Sequence, residues 1–158
     1  MFSVGYGVAN REKKILTIAK SDPNHALILA AVHFEWVIKR SILKLGSSPT
    51  ASLRKELENT YKLAVPNSNK DYRAVWKREV ASRFKGSSLG TVLGNLHDIQ
   101  NKTLKARGRV IHGNGTISKK EANIAVLEFL KAAGKLEAFT KKHGEDLDSR
   151  LRTRIKSR

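Results

Sequence analysis

Between Asp22-Pro23 and Gly46 the chain carries an uninterrupted helical pattern, and this segment constrains the fold more than any other. Asp caps a helix start, Pro favours the first helical position, and Gly marks the stop. Leu27, Ala31, Phe34, Ile38, Ile42 and Leu45 recur at intervals of three and four residues, which places them on one face. A second apolar set, Leu29, Val32, Trp36 and Leu43, lies off that stripe. A helix apolar on two sides needs two partners, such as its own core and another subunit.

The remaining segments repeat the helical theme. Ile15, Leu16 and Ile18 predict a short first helix over 9–20. Ser48-Pro49 opens a third helix, with Leu53, Leu57 and Tyr61 on one face, and residues 64–69 break it. A basic amphipathic helix is expected over 70–84, with Tyr72, Val75, Trp76, Val80 and Phe84 inward, followed by a loop over 85–90. Leu93, Leu96, Ile99, Thr103 and Leu104 mark a helix reaching toward residue 112, ended by Gly113-Asn114-Gly115. Ser118 and Glu121 form a capping box that starts a last long helix, to about His143. No strand-like alternation is long enough to build a sheet. The expectation is all-α: an up-and-down helical bundle of about five to six helices. It forms one domain over 1–144, followed by a basic tail over 145–158.

Charge narrows the partners. Thirty-one Lys and Arg face 14 Asp and Glu, for a net charge of +17. A field of that size attracts polyanions and speeds their association. The basic residues are spread along the chain rather than confined to one amphipathic segment, which favours nucleic acid over a membrane surface. No apolar run approaches the length of a membrane span. The opening residues lack the basic-then-apolar order of a secretory leader. There is no cysteine, which suits a reducing, cytoplasmic setting and removes thiol catalysis and thiolate zinc sites. No metal-ligand spacing and no phosphate-cradling glycine loop is present, so neither metal nor cofactor is expected. Glu145, Asp146 and Asp148 read as a solvated acidic spot in the basic tail. His25, His33, His97 and His143 read as surface or capping residues. Trp36, Trp76 and Phe84 read as core.

What remains is the run Lys105-Ala-Arg107-Gly-Arg109-Val-Ile-His112-Gly-Asn114-Gly. An Arg and a His stand near the end of a late helix with four residues between them, an apolar pair before the His and Gly after it. Here the chain resembles the HEPN superfamily over roughly residues 20–143. Gly108 departs from the family, where a polar residue often follows the Arg. The resemblance implies a metal-independent endoribonuclease with Arg107 and His112 as its catalytic pair, two such sites meeting across a homodimer. It also implies a toxin or antiviral-defence role beside an antitoxin protein. Lys105, Arg109 and Asn114 are the candidate substrate-binding residues. Glu35 occupies the family's place for a supporting polar group, although pairing with Lys39 explains it as well.

The residue types suit that chemistry on their own terms. RNA carries its own nucleophile, the 2′-hydroxyl. A His can take or give the proton, and an Arg can meet the charge building on the phosphoryl oxygens. Other readings stay open: a non-catalytic HEPN-like module that binds RNA or assembles with partners, or another basic helical protein that binds DNA or RNA. Geometry adds a constraint. Arg107 follows Thr103 by four residues and so falls on the helix's expected inner face. Five residues of unbroken helix would set His112 about 140° away from it.

Overall fold

A computed structural model describes residues 7–113 and 115–156. Among them the fold is all-α, with no strand: α1 (Val8–Ser21), α2 (Pro23–Leu45), α3 (Thr50–Glu58), α4 (Tyr72–Trp76), α5 (Leu89–Leu93), α6 (Leu96–Asp98), α7 (Leu104–His112) and α8 (Lys119–Lys142). A π turn, Lys77–Ala81, prolongs α4, and a second, Ile99–Thr103, fuses α6 to α7. The continuous helices therefore number seven, rather than five or six. The extra one arises at Gly94, whose left-handed backbone (φ 73°) ends α5 and splits the helix expected to reach residue 112. Only a residue without Cβ takes that conformation at little cost.

The start and stop signals act as their chemistry requires. Asp22 Oδ1 accepts from the His25 N–H at 3.0 Å, capping α2. At α8, Ser118 Oγ accepts from the Glu121 N–H (3.1 Å) and Glu121 Oε2 from the Ser118 N–H (2.9 Å), a reciprocal capping box. The third helix stops earlier than expected. It ends at Glu58, and Tyr61 lies beyond it, 75% exposed.

The described residues gather into two compact units. Unit 1 comprises 7–36 and the described part of 97–134. Its core holds Ile15, Leu27, Phe34, Ile99, Val126 and Phe129, with the Phe34 and Phe129 rings 5.7 Å apart. His33, expected at the surface, is buried here, with Nε2 3.4 Å from Glu12 Oε1. Trp36 is half-buried and carries the Arg11 guanidinium 3.8 Å from its ring centroid.

Unit 2 comprises 37–96 and 135–156. Ile38, Ile42, Leu45, Leu53, Leu57 and Trp76 are fully buried in it. The Trp76 indole N–H donates to Ser87 O at 2.8 Å, so its one polar atom is satisfied. Buried Glu79 ties the connection between α2 and α3: it accepts from the Ser47 and Ser48 N–H groups, both at 3.0 Å, and from the Ser48 hydroxyl at 2.6 Å. Gly46 is obligatory beside it, because a Cβ there would stand 2.7 Å from Ile42 O and 2.9 Å from Leu53 Cδ2. Residues 145–156 are largely exposed, Asp146 and Asp148 among them, but are tied down at points. Leu147 is buried, and Arg40 donates to Leu147 O (3.0 Å) and Ser149 O (2.6 Å).

Candidate active site and nucleic-acid interface

All the described residues singled out from the sequence as a site lie in unit 1. Residue 114, the candidate Asn114, lies outside the described residues. The helix that carries the others is built in two steps. Ile99 and Thr103 are buried and anchor the π turn in the unit's core. From Leu104 onward the helix is α, and none of its residues is buried. Gly113, left-handed at φ 63°, ends it directly after His112.

This helix sorts the candidate residues by spacing. Lys105, Arg109 and His112 follow one another by four and three residues, so they share a face, and all three are exposed. Arg107 stands on the other side of the axis, half-buried, among the partly covered Leu104, Gly108 and Val110. Arg107 thus falls on the more covered side of α7, as its spacing from buried Thr103 implies, and is half-buried there. The helix runs unbroken through both residues of the pair, so five residues separate Arg107 from His112 by about 140° around the axis. Within one chain the two therefore point apart.

Lys105 and Arg109 do converge. Together with Asn101, Lys102, Glu121 and Ile124 they line a cavity of about 320 Å³ beside the start of α8. Arg107 and His112 are not part of its lining. Arg109 Nη1 lies 3.9 Å from Glu121 Oε1. Hydrogen bonds from the Ser118 N–H and hydroxyl, with the Arg109 charge adding, hold the Glu121 carboxyl below its ordinary pKa. The cavity thus presents three cations, Lys102, Lys105 and Arg109, around one carboxylate already engaged by its cap.

Glu121 and Asn101 are members of this surface that sequence reasoning did not assign to it. Glu121 was visible only as a capping residue, and its second role depends on where α7 lies. Glu35 on α2 is half-buried. Among the described residues no three His, Asp or Glu side chains gather as a metal centre would require, and no helix is long and apolar enough to cross a membrane.

No protein-family model, no curated protein and no solved structure matches this chain.

Proposed function

We propose that the protein is a metal-independent endoribonuclease of the HEPN kind, with Arg107 and His112 as its catalytic pair. The observation that carries this reading is the state of α7. It holds the Arg-x4-His pair on a helix with no buried residue, ended by Gly113, with His112 exposed beside Lys105 and Arg109. In the proposed reaction the 2′-oxygen of RNA forms a bond to the adjacent phosphorus. The P–O5′ bond breaks, leaving a 2′,3′-cyclic phosphate and a 5′-hydroxyl. His112 takes the 2′-hydroxyl proton, and a second His protonates the departing 5′-oxygen. Arg107 meets the charge on the non-bridging oxygens. Lys105 and Arg109 position the backbone through neighbouring phosphates.

The divergence of Arg107 and His112 within one chain supports a homodimer, in which each site takes residues from both copies. Exposed apolar side chains in unit 1 agree with a covered surface there: Leu16, Val32, Ile111, Ile124 and Leu127. A toxin or defence role, with an antitoxin as partner, is the biological setting this reading implies.

The same divergence favours a second reading. If the copies do not complete one another's sites, α7 is a binding face only, and the protein is a non-catalytic module for RNA. Incubating purified protein with RNA in EDTA separates the two. Cleavage that depends on His112 supports the nuclease, and tight binding without cleavage supports the module.

A further inference from the structure

In unit 2 residues 145–156 pack back against the end of α2 and the start of α3. Thr50 Oγ1 donates to Arg152 O (3.0 Å), and the Thr50 N–H to Arg154 O (3.1 Å). This return brings Lys44, Arg83, Arg152 and Arg154 to one cavity of about 240 Å³, with Glu145 as the one carboxylate in its lining. Four cations against one anion leave a formal charge of 4 − 1 = +3 on its walls.

Much of this charge also serves the fold. Arg154 donates to Ser48 O and Leu43 O, each at 3.0 Å, and Arg83 to Leu45 O and Gly46 O. Lys44 donates to Ser149 Oγ and Arg150 O, and its Nζ lies 3.9 Å from Glu145. Cations at the carbonyl end of α2 complement the helix dipole. Two features go beyond that role. Among the described residues the exposed Arg152 side chain makes no hydrogen bond or ion pair, although it lines the cavity. Arg154 Nη2 is buried and has no hydrogen-bond partner among them, a state native proteins rarely leave unsatisfied. The cations also disfavour one another. Burial, joined by the Arg83 charge, pushes the Arg154 guanidinium below its ordinary pKa against Glu79 and Glu145. Burial, with Arg40 and Arg152 adding, does the same to Lys44 against Glu145 and Asp146.

We propose that this cavity binds a phosphate monoester, the doubly charged terminal phosphate of a nucleotide or of a 5′-phosphorylated RNA end. Guanidinium forks match phosphate oxygens in geometry. The volume lies below the roughly 300 Å³ at which small-molecule pockets begin, so the cavity admits a phosphate group rather than the nucleoside attached to it. A monoester brings two charges and a single substituent that must leave the cavity. A backbone diester brings one charge and two substituents. The site does not depend on the ribonuclease reading, because none of its residues belongs to α7.

Calorimetric titration of the full chain tests it. The probes are inorganic phosphate, a nucleoside 5′-monophosphate, and 2′-O-methyl RNA oligomers with and without a 5′-phosphate, which offer no 2′-hydroxyl for cleavage. Saturable one-site binding of inorganic phosphate is expected. Arg152→Gln should weaken it by roughly tenfold, the worth of a charge-assisted hydrogen bond, and Arg152→Glu should abolish it. Both variants should melt like the parent, since Arg152 anchors nothing through its side chain. Preference for the phosphorylated oligomer over its hydroxyl twin assigns the RNA end. Mononucleotide binding without that preference assigns a free nucleotide. The proposal is overturned if the parent shows no saturable phosphate binding, or if Arg152→Glu binds phosphate as tightly as the parent.

Discussion

Removing the Glu79 carboxylate should destabilise the protein through the α2–α3 connection. Glu79 is 1% exposed, and its two oxygens receive four hydrogen bonds: from the Ser47 N–H, the Ser48 N–H, the Ser48 hydroxyl and Arg78 Nε. Glu79→Ala leaves these donors bare and opens a void beside Gly46. The Ser47 end is exposed and water can replace its bond, so the full sum does not apply. One or two donors deprived at about 1–3 kcal/mol each give a loss of about 2–4 kcal/mol. In a chain of this length that lowers the melting temperature by roughly 5–15 °C. Urea titration followed by circular dichroism reads the loss directly.

The same group has a pH signature. Burial alone would raise its pKa, but the Ser48 hydroxyl and N–H, with Arg78 and the Ser47 N–H, outweigh burial and hold it below the ordinary glutamate value. A carboxyl depressed in the folded state contributes its full stability above the unfolded value of about 4.3, and loses it as pH falls through the folded value. Glu79→Gln should therefore differ most from the parent near neutral pH and converge with it in acid. A Glu79→Gln protein as stable as the parent at pH 7 would show that the carboxylate does not hold the α2–α3 connection.

Other consequences are equally direct. With a net charge of +17, RNA affinity should fall steeply with salt, the log–log slope steepening by about 0.7 for each phosphate neutralised on a single strand; fluorescence anisotropy across a salt series checks it, and a flat response would send the charge to another partner. Gly134 sits inside α8 with nothing within 4 Å of where a Cβ would stand, so Gly134→Ala should raise stability by about 0.5–1 kcal/mol in urea titration. Light scattering at micromolar concentration should report twice the chain mass of 17.6 kDa, and a persistent monomer would contradict the shared site.

The helices were legible wherever the signal was local. The Asp22-Pro23 start, the stripe from Leu27 to Leu45 and the Ser118–Glu121 box each act within one turn or one face, and each appears as the pattern implies. The split at Gly94 is not legible because the apolar spacing continues across it, from Leu93 to Leu96 and Ile99. The π turns are not legible for a related reason: they shift the helical phase without changing composition. Buried polar side chains such as Glu79 and His33 are not legible, since Ser47 and Ser48, which hold Glu79, and Glu12, which faces His33, lie 20 or more residues away. The docking of residues 145–156 has the same cause. At the site, the shared face of Lys105, Arg109 and His112 follows from helical spacing alone. The contribution of Glu121 required knowing that α7 lies beside α8.

Incubating the purified protein with RNA in EDTA, in parallel with His112→Ala, decides whether α7 carries a nuclease site. Cleavage with 2′,3′-cyclic phosphate and 5′-hydroxyl ends is expected, while DNA of the same sequence is spared. His112→Ala should keep RNA binding and lose activity by roughly 10²–10⁴, the usual worth of a general acid–base group. Cleavage by His112→Ala at the parent rate, or no cleavage by the parent despite tight binding, would contradict the nuclease reading.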